Sequence, residues 1–200
     1  NDPKIAMVEQ DQIVTLSATQ NNPTWGLDRV DQRSGSLDNK YVYDTTASNV
    51  NVYILDTGVN NHSDFGGRVY NGYDFIDNDN NSSDCQGHGT HVAGTIGAVD
   101  NGIGIIGVAP GVDMHIIKVF NASGWGYSSD LAHAANLCDA AGSTIITMSL
   151  GGGGANSTEE NAFNAFRDAG GLTVAAAGND GNTTRSYPAG YSSIMMIGAN

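Results

Sequence analysis

The chain has 200 residues, of which 8 are Lys or Arg and 21 are Asp or Glu, for a formal net charge of −13. That excess of carboxylate excludes nucleic acid and an anionic membrane surface as partners, because both demand a positive face. No apolar run reaches the length of a transmembrane helix, and the two cysteines, Cys85 and Cys138, make neither a disulfide framework nor a zinc site.

Residues 1–19 carry Ile5, Met7, Val8, Ile13, Val14 and Leu16 in an uneven pattern, which predicts an edge strand and an extended tail. From Trp25 the texture changes to short polar loops. At Val50 it becomes regular. Val50, Val52, Ile54 and Leu55 form an apolar run that stops at Asp56-Thr57-Gly58, the pattern of a buried parallel strand with an acid at its carboxyl end. Next comes Asp84-Cys85-Gln86-Gly87-His88-Gly89-Thr90-His91, followed by a small-residue run to about Ala98 that predicts a tightly packed helix. The first turn of a helix is the positive end of its dipole and favours the neutral imidazole that a general base requires. Gly87 and Gly89 remove bulk on both sides of His88.

His115 to Phe120 predicts a second strand. Ser128-Ser129-Asp130 offers a cap for a helix bearing Leu131, Ala134, Ala135 and Cys138 and ended by Gly142. Thr144 to Leu150 predicts a third strand, running into four glycines. Ser157 with Glu160 makes a capping box for a helix that turns Phe163 and Phe166 inward and closes at Gly170-Gly171. Leu172 to Ala177 is a fourth strand, ending at Gly178-Asn179, and Ile194 to Ile197 a fifth.

Strands alternating with helices predict one domain of the α/β class: a doubly wound, mostly parallel sheet with helices on both faces. Ligands bind such sheets at the carboxyl ends of the strands. There the chain places Asp56, Ser149-Leu150-Gly151 and Gly178-Asn179, with His88 close by. An acid, a base, a backbone edge and an amide make up most of an acyl-transfer site. A dinucleotide site is disfavoured, since the G-x-G-x-x-G letters of Gly102 to Gly107 follow a helix and precede a strand. A metal centre on His88 and His91 lacks a third nitrogen or thiolate at useful spacing.

Asp56-Thr57-Gly58, His88-Gly89-Thr90-His91-Val92-Ala93-Gly94 and Ala175-Ala176-Ala177-Gly178-Asn179 resemble, in order, three blocks of the subtilisin-like serine peptidases, and the likeness runs from about Gln20 to Asn200. Trp25-Gly26-Leu27-Asp28-Arg29 and Asp84 to His88 are similar to the proteinase K and aqualysin branch, whereas Asn101-Gly102-Ile103-Gly104-Ile105 resembles a calcium loop of the subtilisins proper. The resemblance implies that Asp56 orients His88 and balances its imidazolium, and that Asn179 donates its side-chain amide to an oxyanion. It implies two strand edges, Gly124-Trp125-Gly126 and Ser149-Leu150-Gly151, between which a peptide lies extended and is read with broad sequence preference. The wall from Ala175 to Gly178 implies a roomy apolar pocket for the residue before the scissile bond. Structural Ca2+ is implied at three places: Asp28, Asp31, Gln32 and Asp38; Asp74 and Asp79; and Asp64 with the Asn101 side chain and the carbonyls of Val99, Ile103 and Ile105, joined by Gln20 or Asn21.

The chain departs from the family at one point. The nucleophile block Gly-Thr-Ser-Met-Ala occurs nowhere, there is no G-x-S-x-G elbow, and Ser149, Ser192 and Ser193 do not open a helix after a strand as the elbow requires. The 200 residues therefore read as a fragment, inactive by itself, of a secreted, monomeric, calcium-stabilised serine endopeptidase acting on peptides and proteins. The alternative is a degenerate subtilase-like module that binds peptides without cleaving them. Val8-Glu9-Gln10-Asp11 with Ile13-Val14 resembles the close of the family's inhibitory propeptide, and Ala18 to Trp25 resembles a mature start. Residues 1–19 are thus expected to be a propeptide tail that lies in the cleft until self-cleavage near Thr19-Gln20, and residues 20–200 a partial peptidase domain.

Overall fold

The computed structural model describes residues 18–199, so the expected propeptide motif from Val8 to Val14 lies outside the described residues. The chain divides into two compact units, Asn1–Thr45 and Thr46–Asn200. In the first, strand β1 (Ala18–Asn21) is followed by helix α1 (Trp25–Val30) and strand β2 (Lys40–Tyr43), which pairs antiparallel with β1. Leu27, Tyr41 and Tyr43 form its apolar cluster. The buried Asp28 ties the turn before β2 by accepting the Asp38 and Asn39 N–H groups at 3.2 and 2.9 Å. The expected cleavage point, Thr19-Gln20, lies within β1 opposite Val42 and Tyr41.

The second unit carries β3 (Asn51–Asp56), β4 (Val69–Asp74), α2 (His88–Gly97), β5 (Asp113–Lys118), α3 (Ser128–Ala140), β6 (Ile145–Met148), α4 (Ser157–Asp168), β7 (Leu172–Ala176) and β8 (Ile194–Ile197). Its six strands form one parallel sheet in the order β4-β5-β3-β6-β7-β8. Successive strand residues point to opposite faces, and both faces are covered. Val52, Ile54, Met114 and Ile116 pack with Ala93 of α2. Leu55, Ile117, Ile146 and Met148 pack with Leu131 and Ala135 of α3 and with Phe163 and Phe166 of α4. Each of those phenylalanines, fully buried, contributes roughly 1.5–3 kcal/mol. The chain builds β4 and β5 to one side of β3 and β6 to β8 to the other, so the order reverses at β3 and β6, and a crevice opens at their carboxyl ends.

The doubly wound parallel architecture is therefore the one the alternating pattern predicts, with local differences. β5 begins two residues earlier than expected, at Asp113, and β6 is shorter, ending at Met148 before the glycines. The cap of α4 is Asn156 and not Ser157: its side-chain oxygen accepts from the Thr158 and Glu159 N–H groups at 2.9 and 3.2 Å, which leaves the expected Ser157–Glu160 box no role. α3 starts at Ser128 behind Tyr127, which makes no side-chain cap. β2, β4 and α1 have no counterpart in the predicted elements. β4 reads Val-Tyr-Asn-Gly-Tyr-Asp, a composition that an edge strand tolerates and a periodicity search passes over.

Candidate active site

Asp56 ends β3 at the point where the strand order reverses, and His88 is the first residue of α2. The His88 Nδ1 lies 2.7 Å from Asp56 Oδ1 and 2.9 Å from Oδ2. Asp56 is 1% exposed, and its Oδ1 also accepts the Thr57 N–H at 2.7 Å. A carboxylate only accepts, so Nδ1 carries the proton of the bond, and in the neutral ring Nε2 is then the acceptor. The His88 side chain keeps 46% exposure, so an incoming group can reach it.

A second acid holds this pair in place. Asp84 Oδ1 accepts from the Thr57 hydroxyl at 2.9 Å and from the Gln86 and Gly87 N–H groups at 2.9 and 2.8 Å. Its Oδ2 accepts from the Thr90 N–H at 3.0 Å and the Thr90 hydroxyl at 2.5 Å. The N-cap residue of α2 is Gly87, which has no side chain to offer, so Asp84 satisfies N–H groups the helix start would otherwise leave open. Burial raises the Asp84 carboxyl, but the Gly87 N–H, the Thr90 hydroxyl and the Gln86 and Thr90 N–H groups outweigh it and hold it down at about 2. The Thr57 hydroxyl in turn accepts the Gly89 N–H at 3.0 Å. At Gly89 a Cβ would stand 2.0 Å from the Gly58 carbonyl oxygen, so only glycine lets α2 approach the end of β3 this closely. Neither Thr57 nor Asp84 was among the expected site residues. The available signal was an acid four residues ahead of His88, at the mouth of a helix whose cap position is a glycine.

Asp56, His88, Gly124, Ser149, Leu150 and Gly151 share one cavity of about 210 Å³. Gly126 lines a neighbouring cavity of about 320 Å³, and Trp125 is 75% exposed. Asn179 lies after β7, in a third cavity of about 460 Å³ that includes Ala175 to Gly178 and meets the His88 cavity at Ser149. The two expected strand edges are not strands. Gly124 to Gly126 belong to a closed turn in which the Trp125 N–H donates to Asn121 Oδ1 at 3.1 Å and its carbonyl accepts the Asn121 N–H at 3.0 Å, while Ser149 to Gly151 lie beyond the end of β6. Among the described residues no hydroxyl is hydrogen-bonded to His88. Cys85 is exposed and unpaired; Cys138 is buried on α3, and burial pushes its thiol up.

The residues expected to hold calcium fare differently. The pair Asp74 and Asp79 does not fit a cation. Buried Asp74 gives Oδ2 to the Lys118 ammonium at 2.7 Å and Oδ1 to the Ile76 and Asp77 N–H groups, while Asp79 Oδ1 accepts from the Asn81 N–H. Asp28 is committed to the backbone described above, but Asp31 Oδ1 and Asp38 Oδ1 converge on the Gln32 amide at 3.3 and 3.1 Å. Asp64 Oδ1 meets the Asn101 amide at 2.8 Å, Asn101 Oδ1 accepts the Ile103 N–H at 2.9 Å, and the Val99 N–H donates to the Asp64 carbonyl. That last group brings the Asp64 carboxylate against the loop of residues 99–105, which supplies hard oxygen donors, the donor type calcium takes.

The model of the subtilase family matches residues 47–200. The chain is 38% identical to an alkaline serine exoprotease A of Vibrio alginolyticus, across 100% of this chain and 38% of that protein. It is 40% identical to an extracellular serine proteinase of Thermus sp. (strain Rt41A), across 99% of this chain and 48% of that one. A crystal structure of a cold-adapted subtilisin-like serine proteinase matches with a TM-score of 0.76 at 41% identity, covering 84% of this chain and 61% of the other. Fold and sequence together define a subtilisin-like α/β protein. The chain belongs to the subtilase family, and it spans less than half the length of these two curated relatives.

The depressed Asp84 carboxyl makes a signed prediction. A folded-state value below the unfolded one contributes stability that is present above the usual carboxylate range and is lost as pH falls through about 2. Asp84→Asn is expected to lower the urea midpoint at pH 6 by the equivalent of on the order of 1–2 kcal/mol after solvent screening, with the gap to wild type closing as pH falls below about 4. Equal midpoints at pH 6 would count against the role given to Asp84.

Proposed function

We propose that the protein to which these residues belong is a secreted serine endopeptidase of broad specificity. The observation that carries this reading is the buried Asp56 carboxylate on His88 Nδ1, in a cavity at the carboxyl edge of a parallel sheet. His88 Nε2 takes the proton of a serine hydroxyl as that oxygen attacks a peptide carbonyl, and later returns it to the leaving amine. Asp56 fixes the tautomer and balances the imidazolium between those steps. Asn179 donates to the oxyanion, a contact typically worth about 3 kcal/mol. The substrate backbone lies between Gly124-Trp125-Gly126 and Ser149-Leu150-Gly151. No Gly-Thr-Ser block occurs in the 200 residues, so the nucleophile comes from the remainder of the protein, and the chain by itself does not hydrolyse peptides. Residues 1–19 act as the end of an inhibitory segment removed by self-cleavage near Thr19-Gln20, and the mature enzyme works as a monomer.

Kinetics of the full-length protein on a casein-derived peptide, with intact-mass analysis of the product, test the reading together. Asp56→Asn is expected to lower kcat by about 10⁴ with little change in KM. His88→Ala is expected to retain residues 1–19, whereas wild type begins near Gln20. Full activity in Asp56→Asn, or a wild-type chain still starting at Asn1, would contradict the corresponding part.

Calcium is proposed as a structural ion held by Asp64, the Asn101 side chain and the carbonyls of Val99, Ile103 and Ile105, and secondarily by Asp31, Gln32 and Asp38. A ligand bound only by the folded state stabilises it by mass action. Chelation is expected to lower the Tm of the full-length protein by at least several degrees, and Asp64→Ala to remove most of that response. A Tm indifferent to chelator would refute the proposal.

A further inference from the structure

Helix α4 puts an acid where its pattern calls for an apolar residue. Its buried face is Glu159, Ala162, Phe163 and Phe166, the i, i+3, i+4, i+7 stripe of a core-facing helix. Glu159 is 2% exposed. Its one side-chain partner is neutral: the Tyr191 hydroxyl donates to Oε2 at 2.6 Å, while accepting the Asn156 N–H at 2.8 Å. Among the described residues no Lys, Arg or His lies within ion-pair distance of Glu159. Burial raises the Glu159 carboxyl, with the Tyr191 bond opposing it, and burial and Glu159 push the Tyr191 hydroxyl up to about 12. Leucine at 159 would serve the packing of α4 without this desolvation cost.

The acid has a second neighbour besides Tyr191. Glu159 lines the cavity of about 320 Å³, whose other walls include Leu131, Leu150, Tyr127, Tyr187 and Pro188. Phe120, Leu150 and Gly151 line both this cavity and the one holding His88, so the two are adjoining rooms of one cleft. Glu159 is the one acid in the lining, which contains no Lys, Arg or His. Apolar walls with a single carboxylate suit a side chain with an aliphatic stem and a cationic tip. The net charge of −13 draws cationic ligands to the surface.

We propose that this cavity is a subsite for a lysine or arginine side chain of the bound peptide, recognised through Glu159. The inference rests on reading the His88 cavity as a peptide-cleaving site, and it adds a charge preference that main-chain binding alone would not create. An extended peptide repeats side chains on one face about every 7 Å, so the cationic residue lies away from the bond presented to His88. Peptides carrying lysine, norleucine or glutamate scanned through every position provide the test, with two readouts: kcat/KM on the full-length protein and fluorescence anisotropy with the 200-residue chain. At one position lysine is expected to exceed norleucine by about tenfold, with glutamate below both. Glu159→Gln and Glu159→Leu are expected to bring the lysine-to-norleucine ratio there to near one. Lysine-selective binding without any hydrolysis would overturn the peptidase reading and leave the Glu159 subsite standing. Wild type showing no position that favours lysine, whether through equal binding or none, would overturn the subsite, as would a preference that survives both substitutions.

Discussion

The site exists because the start of α2 is clamped against the end of β3. Asp56 and His88 are 32 residues apart in the chain, and a bond of 2.7 Å between them requires both backbones to be fixed to a fraction of that length. Asp84 supplies the fixing: one carboxylate takes the Thr57 hydroxyl from the strand side and the Gly87 and Thr90 N–H groups from the helix side. Because an ionised acceptor forms stronger hydrogen bonds than a neutral one, Asp84 holds the helix start more firmly than an ordinary cap would. Thr57 closes the circuit through the Gly89 N–H, and the absence of a side chain at Gly89 is what makes the distance possible.

The rest of the fold transmits that constraint. α2 lies on the sheet through Gly89, Ala93 and Gly97, four residues apart, and a Cβ at Gly97 would stand 2.9 Å from the Met114 sulfur. Small residues at that spacing let the helix settle low over β3 and β5, which aims its first turn at the crevice where the strand order reverses. On the other face, α3 and α4 carry bulk, and Phe163 and Phe166 fill the space beneath β6 and β7. Among the buried residues of α3 and α4 only Glu159 is charged, and it lines the cleft. The departure from a fully apolar stripe thus coincides with the boundary between core and site, where cores usually concede stability to chemistry.

Much of this was legible in the residues. The run ending at Asp56 announced a buried parallel strand, and the glycines around His88 announced a close helix, because burial on both faces and tight packing each leave a compositional mark. β4 left none: an edge strand of Asn, Gly, Tyr and Asp has no alternation to detect. Asn156 displaced Ser157 as the cap of α4 by a single residue, a difference that turns on backbone angles and not on residue type. Asp74 looked like a loop acid free for calcium, but its partner Lys118 is 44 positions away and becomes a neighbour only when β4 and β5 pair. The role of Thr57 was hidden for the same reason, since its hydroxyl meets Asp84 and the Gly89 N–H only when α2 docks on the end of β3.

The central claim is that Asp56 holds His88 with its proton on Nδ1 and leaves Nε2 free to accept. ¹⁵N NMR of the imidazole in labelled protein near neutral pH reads this directly. The account predicts a protonated Nδ1 and an unprotonated Nε2 for His88 in wild type, with that tautomer losing its dominance in Asp56→Asn. A wild-type His88 found protonated on Nε2 alone would contradict it.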